Sequence, residues 1–288
     1  MFKVKTILKY VVAAFIFFGL TSCDREIETT KSLTNEEKVK ELLMVFSTGK
    51  PDGLKHISDV KYKQHNPFTP DGKAPLIAMF NGTPTGITVE NHRIFSDGDY
   101  VITHTTYGGT WNNGVPQVAF DVFKFENGLI VEHWDNLQNV ANPATDAVNG
   151  NTQTNGTTLI SNGNANENKT LVTNMINNVL IAGQWSSRTN YFSTNYIQHS
   201  PNVPNGIDWM AMFPDGIPFY SSLKFVYGAG NFVLAMSEGL EFVNNVPTGN
   251  KKAYFDLFRI ENGKIVEHWD TVSVIPPADQ WVNSNGKW

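Results

Sequence analysis

The chain has 288 residues, a formal net charge of -5 and a single cysteine. That length suits two domains of ordinary size. The acidic balance argues against nucleic acid as a partner, and one thiol excludes an internal disulfide.

Lys3, Lys5 and Lys9 precede an apolar run over residues 10–20, too short to span a bilayer comfortably and suited to a secretory signal. It ends in Leu20-Thr21-Ser22-Cys23, which resembles the lipobox of bacterial lipoproteins. The resemblance implies removal of residues 1–22, lipidation of Cys23, and a lipid anchor in a membrane of the cell envelope, on the periplasmic side or the cell surface. An ordinary signal peptide with a chance cysteine is the other reading. Removing three lysines from a chain of net charge -5 leaves -8. Residues 23–34 are polar and read as a tether.

Thr34 followed by Glu37 is a capping box, and Val39, Leu42, Leu43 and Phe46 recur at helical spacing, so 35–47 is an amphipathic helix. A short helix over 52–58 follows. Tyr62-Lys63-Gln64-His65-Asn66-Pro67 comes next, then a helix over 73–80 and strands over 85–95 and 100–110, joined at Asp97-Gly98. Residues 120–135 read FDVFKFENGLIVEHWD, two strands around Asn127-Gly128, which supplies the positive φ angles of a tight hairpin.

Residues 255–270 read FDLFRIENGKIVEHWD, identical at twelve of sixteen positions at an offset of 135. The chain is a tandem duplication, and Tyr196-Ile197-Gln198-His199-Ser200-Pro201 extends it upstream. Residues 141–168 are rich in Asn, Thr, Gly and Ala and read as a linker, with an extended segment near 157–160. Leu171, Met175, Val179 and Leu180 mark the first helix of the second unit, with strands over 223–226 and 232–237. The expected domains are 35–140 and 169–279, with 280–288 a polar tail. Helices followed by antiparallel strands make the class α+β.

Helices, then Gln-His-x-Pro, then a strand with a central His, then Glu-His-Trp-Asp closing a hairpin: this resembles the SnoaL-like polyketide cyclase group of the NTF2-like superfamily. The resemblance implies two tandem cone domains, each a curved antiparallel sheet packed on helices around a pocket. It also implies cofactor-free aldol-type chemistry on a small carbonyl compound. Asp121 matches the family's acid/base aspartate and Asp256 its counterpart in the second unit. A buried structural Asp is the alternative. His104 matches the pocket His that polarises a carbonyl, and Met236 stands at its place in the second unit, where the donor is lost. His65 and His199 either orient substrate or order the turns before Pro67 and Pro201.

Alternation sets Ile130, Glu132 and Trp134 on one strand face and Val131, His133 and Asp135 on the other. The first face is assigned to the cavity because Ile130 and Trp134 need burial, which makes Glu132, Trp134, Glu267 and Trp269 substrate-binding. His133, His268 and Asp135 then serve the contact between units, although the opposite phase is open. His65, His104 and His133 show no short ligand spacing, so neither metal nor cofactor is expected. The expected partners are a small-molecule ligand, the membrane, and the second unit in an intramolecular pseudo-dimer. An envelope lipoprotein of cyclase or isomerase type, active through the first unit, is one reading. A non-catalytic binder of a small apolar ligand is the other.

Overall fold

The computed structural model describes residues 32–80, 82–157, 162–243 and 246–288, with backbone alone at 242, 243, 246 and 247. Cys23, the signal segment and most of the extended segment expected near 157–160 lie outside the described residues.

Helix α1 (Asn35–Thr48) starts at the expected capping box: Thr34 accepts from Glu37 N, and the Glu37 carboxylate accepts from Thr34 N at 2.7 Å. It buries Val39, Leu42, Leu43 and Val45. A 3-10 turn (Pro51–His56), strand β1 (Lys63–Gln64) and helix α2 (Ala74–Met79) follow. Strands β2 (Ile87–Asp97), β3 (Tyr100–Gly109), β4 (Gln117–Glu126) and β5 (Leu129–Asn139) are antiparallel neighbours. β1 adds in parallel beside β5, giving the order β1-β5-β4-β3-β2.

The second unit repeats this plan. Helix α3 (Ala165–Met175) begins at Asn164, whose side chain accepts from Glu167 N, and runs on into a wider turn over Ile176–Ile181. The helix therefore starts a little before residue 169. Strands β6 (Phe192–Gln198), β7 (Tyr220–Ala229), β8 (Phe232–Val243), β9 (Val246–Glu261) and β10 (Lys264–Ile275) form a sheet of order β6-β10-β9-β8-β7. The two hairpin turns carry the expected positive φ at Asn127 and Gly128, and at Asn262 and Gly263.

Each sheet is buried on both faces. One face packs on its own helices: α1 with Val101, Phe123, Phe125 and Ile130, and α3 with Val233, Phe258, Ile260 and Ile265. The other faces share one apolar layer, in which Phe120, Val122 and Trp134 meet Leu234, Phe255, Leu257 and Trp269. In that layer Asn136 donates to Thr271 O (2.6 Å) and Ala253 O (3.2 Å), satisfying a polar side chain that is almost wholly enclosed.

The segment read as a linker is docked for much of its length. Asn149 Nδ2 donates to Ser200 O and Val203 O, Asn151 Nδ2 to Gln198 O, and Val148 N to Pro201 O. Residues 282–287 do the same to the first unit: Val282 N bonds Pro67 O, Asn283 Nδ2 bonds Asn66 O and Thr69 O, and Asn285 Nδ2 bonds Gln64 O. Val148-Asn149-Gly150-Asn151 and Val282-Asn283-Ser284-Asn285 are therefore one repeated strap. Each unit sends its strap across the Gln-His segment of the other.

Replacing Asn136 by Ala leaves the Thr271 and Ala253 carbonyl oxygens without this donor between the sheets. We expect Asn136→Ala to lower unfolding free energy by about 1–3 kcal/mol in urea titration. An unchanged midpoint would show that the polar contact adds nothing to the shared layer.

Candidate functional site

A β-bulge decides which side chains face the cavity. Lys124 pairs with Glu132 and the next pair is Phe125 with Ile130, so Val131 is the extra residue. The bulge lets Ile130 face α1 while His133, Asp135 and Leu137 face the same way further along. The same shift occurs between Ile265 and Glu267. The phase drawn from Ile130 is therefore reversed beyond Val131. His133 and Asp135 line the cavity, and Glu132 and Trp134 point to the far face.

The cavity measures about 500 Å³ and lies between α1, α2 and the first sheet. Leu42, Leu76 and Phe80 give it an apolar side, and Asp121, His133 and Asp135 give it a polar wall. Asp121 Oδ1 lies 3.1 Å from His133 Nε2, while Oδ2 accepts from Thr103 (3.2 Å) and Tyr107 (3.1 Å). Burial, and next the charge of Asp121, push the Tyr107 phenol far above its usual range, so it acts as a donor. His133 Nδ1 lies 3.1 Å from Gln64 Oε1. That oxygen also accepts from Asn66 N, which fixes the orientation of the amide. Gln64 Oε1 is then an acceptor, and His133 Nδ1 must carry a hydrogen. The Nε2–Oδ1 contact requires a second one, so the pair holds either imidazolium with carboxylate or imidazole with carboxylic acid.

The other sequence-selected residues gather on the far face. His65 stacks on Trp134 at 4.5 Å, donates from Nδ1 to Gly286 O (2.8 Å), and meets Glu132 Oε2 at 3.3 Å. His199 repeats this with Trp269 (4.8 Å), Thr152 O (2.8 Å) and Glu267 Oε1 (2.9 Å). His104 also lies on the far face: its β4 partner is Phe120, on which it stacks at 4.4 Å, and its Nδ1 accepts from Arg93 at 3.0 Å. Burial, and next the Arg93 charge, hold the imidazole far below its ordinary range and hence neutral. Neither His104 nor His65 reaches the cavity, for the plain reason that each is one residue out of phase with Asp121 or Gln64.

Across this face Arg93 stacks on Trp269 (4.2 Å) and donates to the carbonyls of Thr154, Asn155 and Thr157. Phe225 takes the matching place in the second unit, against Trp134 at 5.7 Å. The exchange of His104 for Met236 goes with that of Arg93 for Phe225: a polar pair became an apolar pair in the layer between the sheets. It is not the loss of a cavity donor.

The sequence profile of the SnoaL-like domain family matches residues 39–133. The first unit is a SnoaL-like domain. Among solved structures, TsrD from Streptomyces laurentii is similar at 21% identity over 35% of this chain and 85% of that one, with a TM-score of 0.31. An LEH-like epoxide hydrolase of M. tuberculosis is similar at 20% identity over 36% of this chain and 82% of that one, with a TM-score of 0.32. An NTF2-like protein from Cytophaga hutchinsonii is similar at 15% identity over 38% and 94%, also with a TM-score of 0.32. No curated protein matches the chain.

The second unit repeats the SnoaL-like element order and the inner network. His268 lies between Gln198 Oε1 (2.8 Å) and Asp256 Oδ1 (2.9 Å). Its surroundings differ. Tyr254 stands where the first unit has Ala119, packs on Tyr220 at 4.5 Å, and the Tyr220 hydroxyl contacts both oxygens of Asp256. Two tyrosines thus pack beside Asp256 where the first unit has Ala119 near Asp121.

Sequence reasoning missed a further feature, because its members come from neighbouring strands. Asp121, His133 and Asp135 offer ligand atoms within 4.8 Å of one another, as do Asp256, His268 and Asp270. Such a set can hold a cation. In the first unit Lys287 Nζ, 3.9 Å from Asp135, competes for the same carboxylate. In the second unit Asp270 Oδ1 has no hydrogen-bond partner among the described residues.

Two acids show the contrast in surroundings. Burial works against the Glu267 carboxylate, yet hydrogen bonds from His199, Arg259 and Thr157 N outweigh it and bring its pKa to about 2. Burial dominates at Asp270, opposed by His268 and reinforced by Asp256, and the pKa rises from 3.8 to about 6. A carboxyl with a raised folded pKa destabilises the fold in its charged form. The folded state binds more protons between about pH 4 and 6, so stability falls as pH rises through that window. Asp270→Asn should therefore raise the melting temperature at pH 7–8, by on the order of 1–3 kcal/mol in unfolding free energy. The gain should fade as pH falls through 6 and vanish below about 4. A gain that is the same at every pH would show that the effect is packing and not charge.

Proposed function

We propose that the cavity of the first unit binds a small, largely apolar carbonyl compound and moves a proton at the carbon next to the carbonyl, as cyclases and isomerases of this domain type do without a cofactor. The observation that carries the reading is the Asp121–His133 pair on the wall of a cavity of about 500 Å³ whose other side is apolar. In its imidazolium–carboxylate form the Asp121 oxygen accepts the carbon-bound proton. The C–H electrons form the new C=C bond and charge builds on the carbonyl oxygen, while charged His133 and the Tyr107 hydroxyl hold the Asp121 carboxyl group in place as it takes the proton as carboxylate and returns it as the acid. Gln64 holds the ring so that Nε2 faces Asp121, the positioning task that the Gln-His segment performs with its first residue and not its second.

Both oxygens of Asp121 are already engaged by side chains, which favours the second reading: a pocket that holds such a molecule without turning it over. Exchange of the α-protons of cyclohexanone in D2O, followed by NMR, separates the two. Turnover predicts exchange well above the buffer rate, cut by about 10²–10⁴ in Asp121→Asn, with Asp256→Asn close to the parent. Binding without exchange in the parent protein would leave only the second reading.

At the level of the whole chain, we further propose an envelope lipoprotein that works as an intramolecular pseudo-dimer. The shared apolar layer and the two exchanged straps support the pairing, and the Leu-Thr-Ser-Cys ending supports the anchor. Cys23→Ser expressed in a bacterium fed an alkyne fatty acid should lose the label that the parent takes up. A variant that stays labelled and membrane-bound would end the lipoprotein reading.

A further inference from the structure

The cavity of the first unit is completed by a side chain of the second unit's strap. Lys287 stands in the repeated register where the first strap has Gln153. It is buried, with Nζ 5.5 Å from the centre of the Phe255 ring, and it lines the same cavity as Asp121 and His133. Its head donates to the main-chain oxygen of Asp135 and lies 3.9 Å from that residue's carboxylate. Asp135 and Asp121 face each other across β4 and β5, so this amine and the proton-transfer pair line one cavity wall joined by Asp135. An ammonium has three N–H bonds. One is used by the Asp135 carbonyl, and a carboxylate at 3.9 Å is beyond hydrogen-bond length. Burial makes the charged form costly, with Asp135 opposing, so an oxygen that accepts from Lys287 is well placed to relieve it.

We propose that Lys287 binds the carbonyl oxygen of the ligand, and that the ligand class is a neutral ketone or aldehyde with an apolar body. The proposal rests on the reading of this cavity as a small-molecule site and adds what recognises the polar end. Asp121 and Asp135 already set two acids on that wall, so a carboxylate ligand fits it poorly and an uncharged carbonyl fits well. The role also suits the chemistry. When the α-proton passes to Asp121, the C–H electrons form the new C=C bond and the carbonyl oxygen gains negative charge. Lys287 donates to that oxygen and keeps its own proton, and return of the proton from Asp121 restores the carbonyl. Gln153, at the matching strap position, is uncharged and accepts from Ala141 N through its amide oxygen, and no lysine or arginine pairs with Asp270 among the described residues.

The test uses the full chain and two fluorescent probes. Prodan is a naphthalene with a dimethylamino group and a propionyl ketone, whose emission shifts when its carbonyl accepts a hydrogen bond. Dimethylaminonaphthalene has the same body and no carbonyl. Lys287→Met should weaken prodan about 10-fold or more, blue-shift its bound emission, and change the affinity of the control by less than about 2-fold. Lys287→Gln, which installs the residue the second strap's counterpart already carries, keeps a donor and should fall between. It also guards against a Met variant that fails to fold. Equal losses for both probes would mean that Lys287 only seals the cavity, and would overturn the proposal. Prodan affinity unchanged in both variants would overturn it too, leaving the cavity reading intact. If neither probe binds the parent protein, the cavity reading and the proposal fall together. A prodan adduct on Lys287 trapped by borohydride would replace hydrogen bonding with imine chemistry.

Discussion

Four histidines in this protein are each held between a carbonyl oxygen and a carboxylate, and the architecture follows from satisfying them. His133 and His268 lie between a glutamine oxygen and an aspartate, on the helix side of the two sheets. His65 and His199 lie between a strap carbonyl and a glutamate, on the side where the sheets meet. An imidazole with acceptors at both nitrogens needs two hydrogens or a protonated acid partner. Buried, it tolerates neither a missing carbonyl nor a missing carboxylate. The Gln-His segment serves both sides at once, because adjacent residues of a strand point to opposite faces. Its glutamine orients the inner histidine, and its own histidine closes the outer cluster.

That requirement explains why the straps cross. The main-chain oxygens that His65 and His199 need come from Gly286 and Thr152, each in the strap of the opposite unit. The approach is close. A Cβ on Gly156 would stand 2.2 Å from Glu267 Oε1, at a φ of +95 where side chains are already disfavoured. A strap that lies this near a charged cluster has no room for bulk and little apolar surface to bury. It is held by asparagine amides donating to main-chain oxygens, a mode that leaves no hydrophobic signature.

This is also where the sequence was hard to read. The duplication, the Asn-Gly hairpins, the capping box at Thr34 and the α+β order were legible, since each rests on local chemistry that tertiary packing had no reason to override. The strap was read as a linker because composition reports apolar burial and not hydrogen bonding. The phase of the Glu-His-Trp-Asp strand was read from Ile130, a sound anchor in an unbroken strand, and the bulge at Val131 reversed it. Strict alternation carries no mark of a bulge when the inserted residue is itself a valine. Asp121 was legible as a cavity residue by resemblance, whereas its partner His133 was assigned to the opposite face by that same one-residue slip.

The divergence of the two units becomes coherent once side chains are grouped by face. Between the sheets, Arg93 with His104 is matched by Phe225 with Met236, so a polar pair and an apolar pair replace each other as wholes. Half of either exchange would take from Arg93 one of its acceptors, or leave the His104 Nδ1 with nothing to accept from. On the helix face, Ala119 against Tyr254 and Lys287 against Gln153 change together as well: the first unit keeps a cavity with a cation on its wall, and the second has two tyrosines beside Asp256 and an uncharged amide at the strap position. Substitutions on the shared face preserve a contact that both units need. Those on the helix faces do not have to, and there the units separate into one with a cavity beside its Asp–His pair and one with tyrosines packed beside the pair. In the second unit the Tyr220 hydroxyl occupies both oxygens of the aspartate, leaving it less free for a ligand than Asp121 on its cavity wall. The second unit thus retains the pair as part of its buried hydrogen-bond network, while its strap supplies the residue that finishes the wall of the first.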